Sequence, residues 1–329
     1  MNKNLVKILD CTLRDGGYLN DWMFGQENIQ SILFNLAECN IDYIECGFLK
    51  EKSYVADKTF FSSTCDLEKI INIDKNYTLM VNFGEYGLEN FSECKNKNIK
   101  IRVAFKKHNQ KDALMYIKSL VDLNWDVFVN PMSTNTYTEQ ELYSLILELN
   151  KIRPFGLTIV DTLGNMYEKD VLHIFEYIDK ILDSRIALGF HSHNSMQLSF
   201  SNTKALLKKG IQRLVIIDSC LYGMGRGAGN LCTELIAKYL NDNLNKEYSI
   251  LPLLKTIDEK LKPIYQETPW GYSTPYYIAA IHGCHPNYAA YLVKNNLPDE
   301  KIDYILSNIP DDKKTVFDEN FINIELRYV

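Results

Sequence analysis

Eight short runs rich in β-branched and aliphatic residues recur along the chain, at 5–10, 42–47, 77–83, 99–105, 126–131, 156–161, 185–191 and 213–218. Most are continuously apolar rather than alternating, the pattern of strands buried on both faces. Amphipathic helical stretches lie between them, among them 26–39, 111–123, 139–150, 168–182, 197–208 and 231–240. Thr138 ahead of Glu139 and Glu141 reads as a helix N-cap with acidic residues at the positive dipole end. Gly210 behind Lys208 and Lys209 reads as a helix stop. Strand-then-helix units in series require parallel strands joined by right-handed crossovers. The candidates are then a closed barrel and an open doubly wound sheet. Eight units over about 240 residues favour the barrel. An open dinucleotide-binding sheet would carry G-x-G-x-x-G in its first turn, whereas this turn reads Thr12-Leu13-Arg14-Asp15-Gly16-Gly17. The expected fold is α/β, a TIM (β/α)8 barrel over residues 1–245. Beyond it, helix-like pieces broken by prolines and a Tyr-rich stretch at 270–277 predict a C-terminal helical extension, 246–329, packed on the barrel.

Composition narrows the partners. A net charge of −6 over 329 residues supplies no basic footprint for nucleic acid, and no run of 18 apolar residues suggests a membrane span. The eight Cys are scattered without a C-x-x-C pair, so they read as small buried hydrophobes in a reducing compartment, the cytoplasm, rather than as a disulfide or zinc framework.

In such a barrel the chemistry lies at the C-terminal ends of the strands. The first strand runs into Arg14-Asp15-Gly16-Gly17, which by itself could be a surface ion pair beside a turn. The seventh ends in His191-Ser192-His193, and residues two apart on a strand face the same way. Two convergent imidazoles with one carboxylate form a metal triad with open positions. After the eighth comes Tyr222-Gly223-Met224-Gly225-Arg226-Gly227-Ala228-Gly229-Asn230, with glycine at every second position. That loop suits close approach of backbone to a ligand, a phosphate cradle, or plain flexibility.

The segments LDCTLRDGG (9–17), IRVAF (101–105), VDTLGNM (160–166), GFHSHN (189–194) and YGMGRGAGN (222–230) resemble the DRE-TIM metallolyase family. The resemblance runs over about residues 5–240 and is lost in the C-terminal region. It implies a divalent-metal-dependent aldolase or lyase that makes or breaks a C–C bond on a 2-oxo acid through a pyruvate-type enolate. Asp15, His191 and His193 stand at the family's metal ligands, and Asn230 at the ligand that closes the glycine loop in its synthases and lyase. Arg14 stands where an arginine steadies the enolate oxygen, and Thr162 where a hydroxyl contacts the substrate carboxylate. Tyr272 and Tyr276 fall near a substrate-contacting tyrosine. The donor set suits Mn²⁺ first, with Mg²⁺, Zn²⁺ or Fe²⁺ as alternatives.

Two departures stand out. The family's aldolases carry a His as general base where this chain has Tyr18, and its synthases a Glu where it has Gly17. A tyrosine of ordinary pKa, about 10, is a poor base at neutral pH. His282 and His285 could reach back over the barrel mouth, although the His-Gly-Cys-His-Pro segment reads more simply as a turn. An acyl-CoA-dependent Claisen-type synthase or lyase is the second reading, and a non-catalytic metal-binding barrel subunit the third. The expected partners are a small 2-oxo acid and an aldehyde, with a homo-oligomer plausible on general grounds. The aldehyde dehydrogenase that pairs with some of the family's aldolases is not carried over.

Overall fold

In the computed structural model, which describes residues 3–71, 74–210 and 212–326, the strands are β1 (Val6–Asp10), β2 (Tyr43–Leu49), β3 (Phe60–Phe61), β4 (Asn76–Asn82), β5 (Ile99–Phe105), β6 (Val127–Pro131), β7 (Gly156–Asp161), β8 (Ala187–Ser192) and β9 (Val215–Ser219). They pair in the order β1-β9-β8-β7-β6-β5-β4-β2, and β2 returns to β1 through Leu9↔Tyr43 and Asp10↔Ile44. Every ladder is parallel. The sheet therefore closes into an eight-stranded barrel, and the two-residue β3 sits outside it, against Phe48 and Leu49 at the end of β2.

Helices Gln26–Glu38, Gln110–Asp122, Glu139–Ile152, Glu168–Ile181, Ser199–Leu207 and Thr233–Leu244 cover the barrel. All but Ser199–Leu207, which buries Ser199, Asn202 and Thr203 beside Leu206 and Leu207, turn an apolar stripe inward; Leu142, Leu145, Ile146 and Leu149 of the third are buried. That helix starts with a capping box: Thr138 Oγ1 accepts from the Glu141 N–H at 3.2 Å, and the Glu141 carboxylate accepts from the Thr138 N–H at 2.7 Å. The wall is thinner after β2 and β4. Only Thr64–Glu68 and a single 3₁₀ turn, Leu88–Asn90, stand there. The polar stretch from Gly84 to Asn98 has too few apolar residues for a covering helix, and Phe91 fills the gap against Tyr116 and Trp125.

The C-terminal stretch divides in its packing. Leu253, Ile257, Leu261 and Trp270 join the barrel's core. From Ile278 to Ile322 the buried side chains form a cluster of their own, in helices Thr274–Ile281, Pro286–Lys294, Asp299–Ser307 and Glu319–Glu325. This helical unit lies beside the mouth: Asn165, after β7, donates to the Ala280 carbonyl at 3.3 Å. Among the described residues no helix is long and apolar enough to cross a membrane.

Candidate functional site

The C-terminal ends of β1, β8 and β9 are neighbours once the barrel closes, and they bring three buried donors together. Asp15 Oδ2 lies 3.3 Å from His191 Nε2 and 3.6 Å from His193 Nε2. Ligand atoms about 2.1 Å from a shared ion sit roughly 3.0–3.4 Å apart, so the spacing fits a cation with little adjustment. The imidazoles are already aimed. His191 Nδ1 donates to Asp218 Oδ2 at 3.0 Å and His193 Nδ1 to the Asp161 carbonyl at 3.0 Å, which aims both Nε2 atoms at Asp15. Burial would lower the His191 imidazole, but Asp15 and Asp218 outweigh it and hold it well above its ordinary value, so a cation seated here would displace its Nε2 proton. Burial alone would raise the Asp15 carboxyl, but Arg14 and the hydrogen bond from the His191 imidazole outweigh it and hold Asp15 well below the usual carboxylate range. Burial pushes His193 down to about 3, so it is neutral.

Asn230 lies next to His193, bridged to it through the backbone. Its amide donates to the Met224 carbonyl at 3.0 Å and to Cys220 Sγ at 3.4 Å, and its Oδ1 is buried without a hydrogen-bond partner. Asp15 Oδ2 and His193 Nε2 are likewise buried without one. Asp15 Oδ2 and His193 Nε2, orphaned and 3.6 Å apart, are costly together in a protein interior unless a cation meets them. The residues present therefore fit a divalent ion. Gly225 serves this geometry by close approach, since a Cβ there would lie 2.1 Å from Asn230 Nδ2.

Behind the donors a charged lattice crosses the barrel interior. Arg14 Nε donates to Glu45 Oε2 at 2.7 Å, and Arg14 also pairs with Asp15 at 3.2 Å. Arg102, fully buried, bridges Glu45 at 3.2 Å and the Asp218 carboxylate. Cys11, near His191 and Asp218, has its thiol pushed up by burial, and Arg102 donates to its sulfur at 3.5 Å. This second cluster supports His191.

An inner cavity of about 70 Å³ is lined by Arg14, Asp15, Tyr18, Thr162, His191, His193 and Arg226 among others. It shares Tyr18, Thr162 and Arg226 with an outer cavity of about 490 Å³ that opens to solvent. Thr162 Oγ1 accepts from the Ser133 N–H at 2.8 Å, so its own hydroxyl proton is free to donate. Tyr18 is 38% exposed at the junction, and burial of its hydroxyl side raises its pKa; it keeps its proton at neutral pH. The Gly17 departure has a steric cause, because a Cβ there would fall 2.1 Å from Trp22 Cδ1. The Trp22 indole closes this side and donates to the Arg14 carbonyl at 2.7 Å.

The structure brings Arg14, Asp15, Tyr18, Thr162, His191, His193 and Asn230 to one place. It does not bring Tyr272, which is 56% exposed beside Tyr277. Tyr276 packs its ring against the glycine loop at Gly227 instead of lining either cavity. The simple-turn reading of the His-Gly-Cys-His-Pro segment needs correction for one residue. His282 turns outward to Asp303 at 2.7 Å, but His285 starts a helix, accepting from the Asn287 N–H at 3.2 Å, and lines the outer cavity. Arg226, Lys106, Asp218 and Glu45 also belong to the assembly and were not singled out from sequence; only Arg226, a lone cation between loop glycines, carried a local signal.

A (β/α)8 barrel with a carboxylate and two histidines converging at its mouth defines the molecule as a metal-site barrel of the lyase type. The chain belongs to the HMGL-like family, whose model matches residues 5–256. It is 25% identical over 294 residues to a 4-hydroxy-2-oxovalerate aldolase of Thermomicrobium roseum, covering 85% of this chain and 81% of that protein. Its fold is similar to the N-terminal domain of a candidate aldolase from Bacteroides vulgatus (TM-score 0.70, 24% identity, 98% of this chain and 100% of that one). It is similar too to the HMG-CoA lyase from Brucella melitensis (TM-score 0.60, 17% identity, 80% and 98%).

Proposed function

We propose that the protein is a divalent-metal-dependent carbon–carbon lyase, an aldolase that makes or breaks a bond to a 2-oxo acid through a pyruvate-type enolate. The observation that carries this is the convergence of Asp15 Oδ2 with the Nε2 atoms of His191 and His193, beside an arginine that cannot swing away. Asp15, His191, His193 and Asn230 Oδ1 would hold the ion, Mn²⁺ by first choice for an N/O donor set without thiolate. When bound it supplies a Lewis acid that polarises the 2-oxo group.

In the cleavage direction the 4-hydroxyl of a 4-hydroxy-2-oxo acid gives its proton to water of the solvent-open outer cavity, and the C3–C4 bond breaks to release an aldehyde. The bond's electron pair collects on the 2-oxo oxygen as an enolate that takes a proton back from that water at C3. Arg14, pinned by Glu45 and Asp15, is a fixed positive charge lining the cavity where that oxygen develops its charge. Preorganised charge of this kind needs no reorientation during reaction. Thr162 offers its free hydroxyl proton to the substrate carboxylate, and Tyr18, protonated, donates to a substrate oxygen at the rim. The working compartment in this reading is the reducing cytoplasm, in keeping with eight unpaired cysteines.

The test is exchange of pyruvate methyl protons in D₂O, followed by proton NMR with Mn²⁺, Mg²⁺, Zn²⁺ or Fe²⁺ added. Exchange that needs the ion, stops with chelator and is lost in Asp15→Ala is the expected result. Absence of exchange with all four ions refutes the reading and leaves a barrel that binds metal without this chemistry.

A further inference from the structure

The two cavities meet at Arg226. Its guanidinium carbon sits 4.9 Å from the Tyr18 ring centroid, it lines both cavities, and its Nε is buried with no hydrogen-bond partner. The other arginines of the interior are all bridged: Arg14 to Glu45 and Asp15, Arg102 to Glu45 and Asp218, Arg213 to Asp179. Among the described residues no carboxylate pairs with Arg226 or with Lys106, which lines the outer cavity. Glu85, the one carboxylate on that lining, is taken by Lys50. His285 adds a directed donor. Its Nδ1 accepts from the Asn287 N–H, so the neutral ring carries its proton on Nε2. In a chain of net charge −6 the outer cavity is thus cationic and short of one partner. A partly desolvated guanidinium without an anion is costly, and its fork matches a carboxylate or phosphate.

We propose that the aldehyde half of the substrate carries a second anionic group, a carboxylate or a phosphate, seated in the outer cavity between Arg226, Lys106 and His285. The proposal rests on the enolate reading above. That reading puts the reacting C–C bond over the inner cluster, and the aldehyde's remaining chain then has only the outer cavity to run into. It also accounts for Tyr18, whose ring face holds the guanidinium at the junction by a cation–π contact that an imidazole base would not supply as well.

With the Mn²⁺-loaded full chain, pyruvate condensation is compared for butanal, succinic semialdehyde and glycolaldehyde phosphate. At least one anionic aldehyde should exceed butanal in kcat/KM about tenfold or more, the worth of a charge-assisted hydrogen bond; which one leads distinguishes carboxylate from phosphate. Arg226→Gln should erase the advantage mainly through KM, and Lys106→Ala, at an exposed site, should reduce it severalfold. Equal or better use of butanal, or a preference that survives in Arg226→Gln, overturns the proposal. If pyruvate exchange fails, the enolate reading falls and the anion site is judged separately by calorimetry with glutarate and inorganic phosphate. Binding of either, lost in Arg226→Gln, upholds the site; no binding of either, or binding unchanged in Arg226→Gln, ends it.

Discussion

Replacing Asp218 by Asn tests whether the metal centre depends on residues that never touch the ion. One oxygen of Asp218 receives both the His191 Nδ1–H, at 3.0 Å, and the Arg102 guanidinium. In Asp218→Asn a neutral oxygen can keep these bonds only as a weaker acceptor. If the amide turns, its N–H₂ faces Nδ1, which then accepts, and the imidazole proton moves to Nε2, the atom aimed at the cation. Loss of such an orienting partner lowers metal affinity about 10–100-fold, or about 1.4–2.7 kcal/mol. Folding should suffer less than the ~3–5 kcal/mol for a buried charge stripped of its partner, because Arg102 retains Glu45 at 3.2 Å. Mn²⁺ titrations by calorimetry at fixed pH, with urea melts of the metal-free proteins, separate the two effects. The expected outcome is a dissociation constant at least tenfold higher in a variant that is still folded at the titration temperature. A constant within twofold of the parent, in a folded variant, would refute the orienting role of Asp218.

Arg14→Lys keeps a positive charge but not the fork that spans Glu45 and Asp15; pyruvate exchange should fall about 10²–10³-fold while Mn²⁺ still binds in the same titration. Gly17→Ala drives a methyl into the Trp22 indole and should cost about 1–3 kcal/mol in a urea melt, with a shift in tryptophan emission. Burial raises the Asp10 carboxyl from 3.8 to about 6, against opposing bonds from Thr233 and Thr12. A folded state that binds the proton more tightly has its favourable contribution complete below about pH 4, and loses it as pH rises through about 6. Asp10→Asn does not titrate, so its stability relative to the parent should climb by about 3 kcal/mol between pH 4 and pH 7 and then level off. A difference that stays flat over that range would show that Asp10 does not titrate near 6.

The proposed metal donors were legible in sequence through one local rule and a set of short motifs. His191 and His193 share a face through the two-residue strand repeat, whereas Asp15 and Asn230 were picked out by the resemblance of the segments 9–17 and 222–230 to the family's motifs. The supporting network was not. Glu45, Arg102 and Asp218 lie 57 and 116 residues apart along the chain and meet only because β2, β5 and β9 turn them toward one barrel interior. The missing helices after β2 and β4 were partly legible, since the polar stretch from Gly84 to Asn98 holds no apolar stripe. Tyr272 looked like a site residue from its neighbours in sequence, yet packing left it in solvent.

By itself the sequence determined the barrel, the order of its units and the candidates for the proposed ion-binding set, because hydrophobic period and short motifs act within a few residues of themselves. Tertiary structure decided what surrounds that set. Closure of β1 on β2 and β9 brought the donors to ligand spacing, and burial with charged neighbours set which groups hold protons. Packing of the C-terminal helices placed His285 over the mouth, facing Arg226 and Lys106 around one cavity. The proposed anion site depends on those long-range contacts, which the separate local signals of Arg226 and His285 could not assemble.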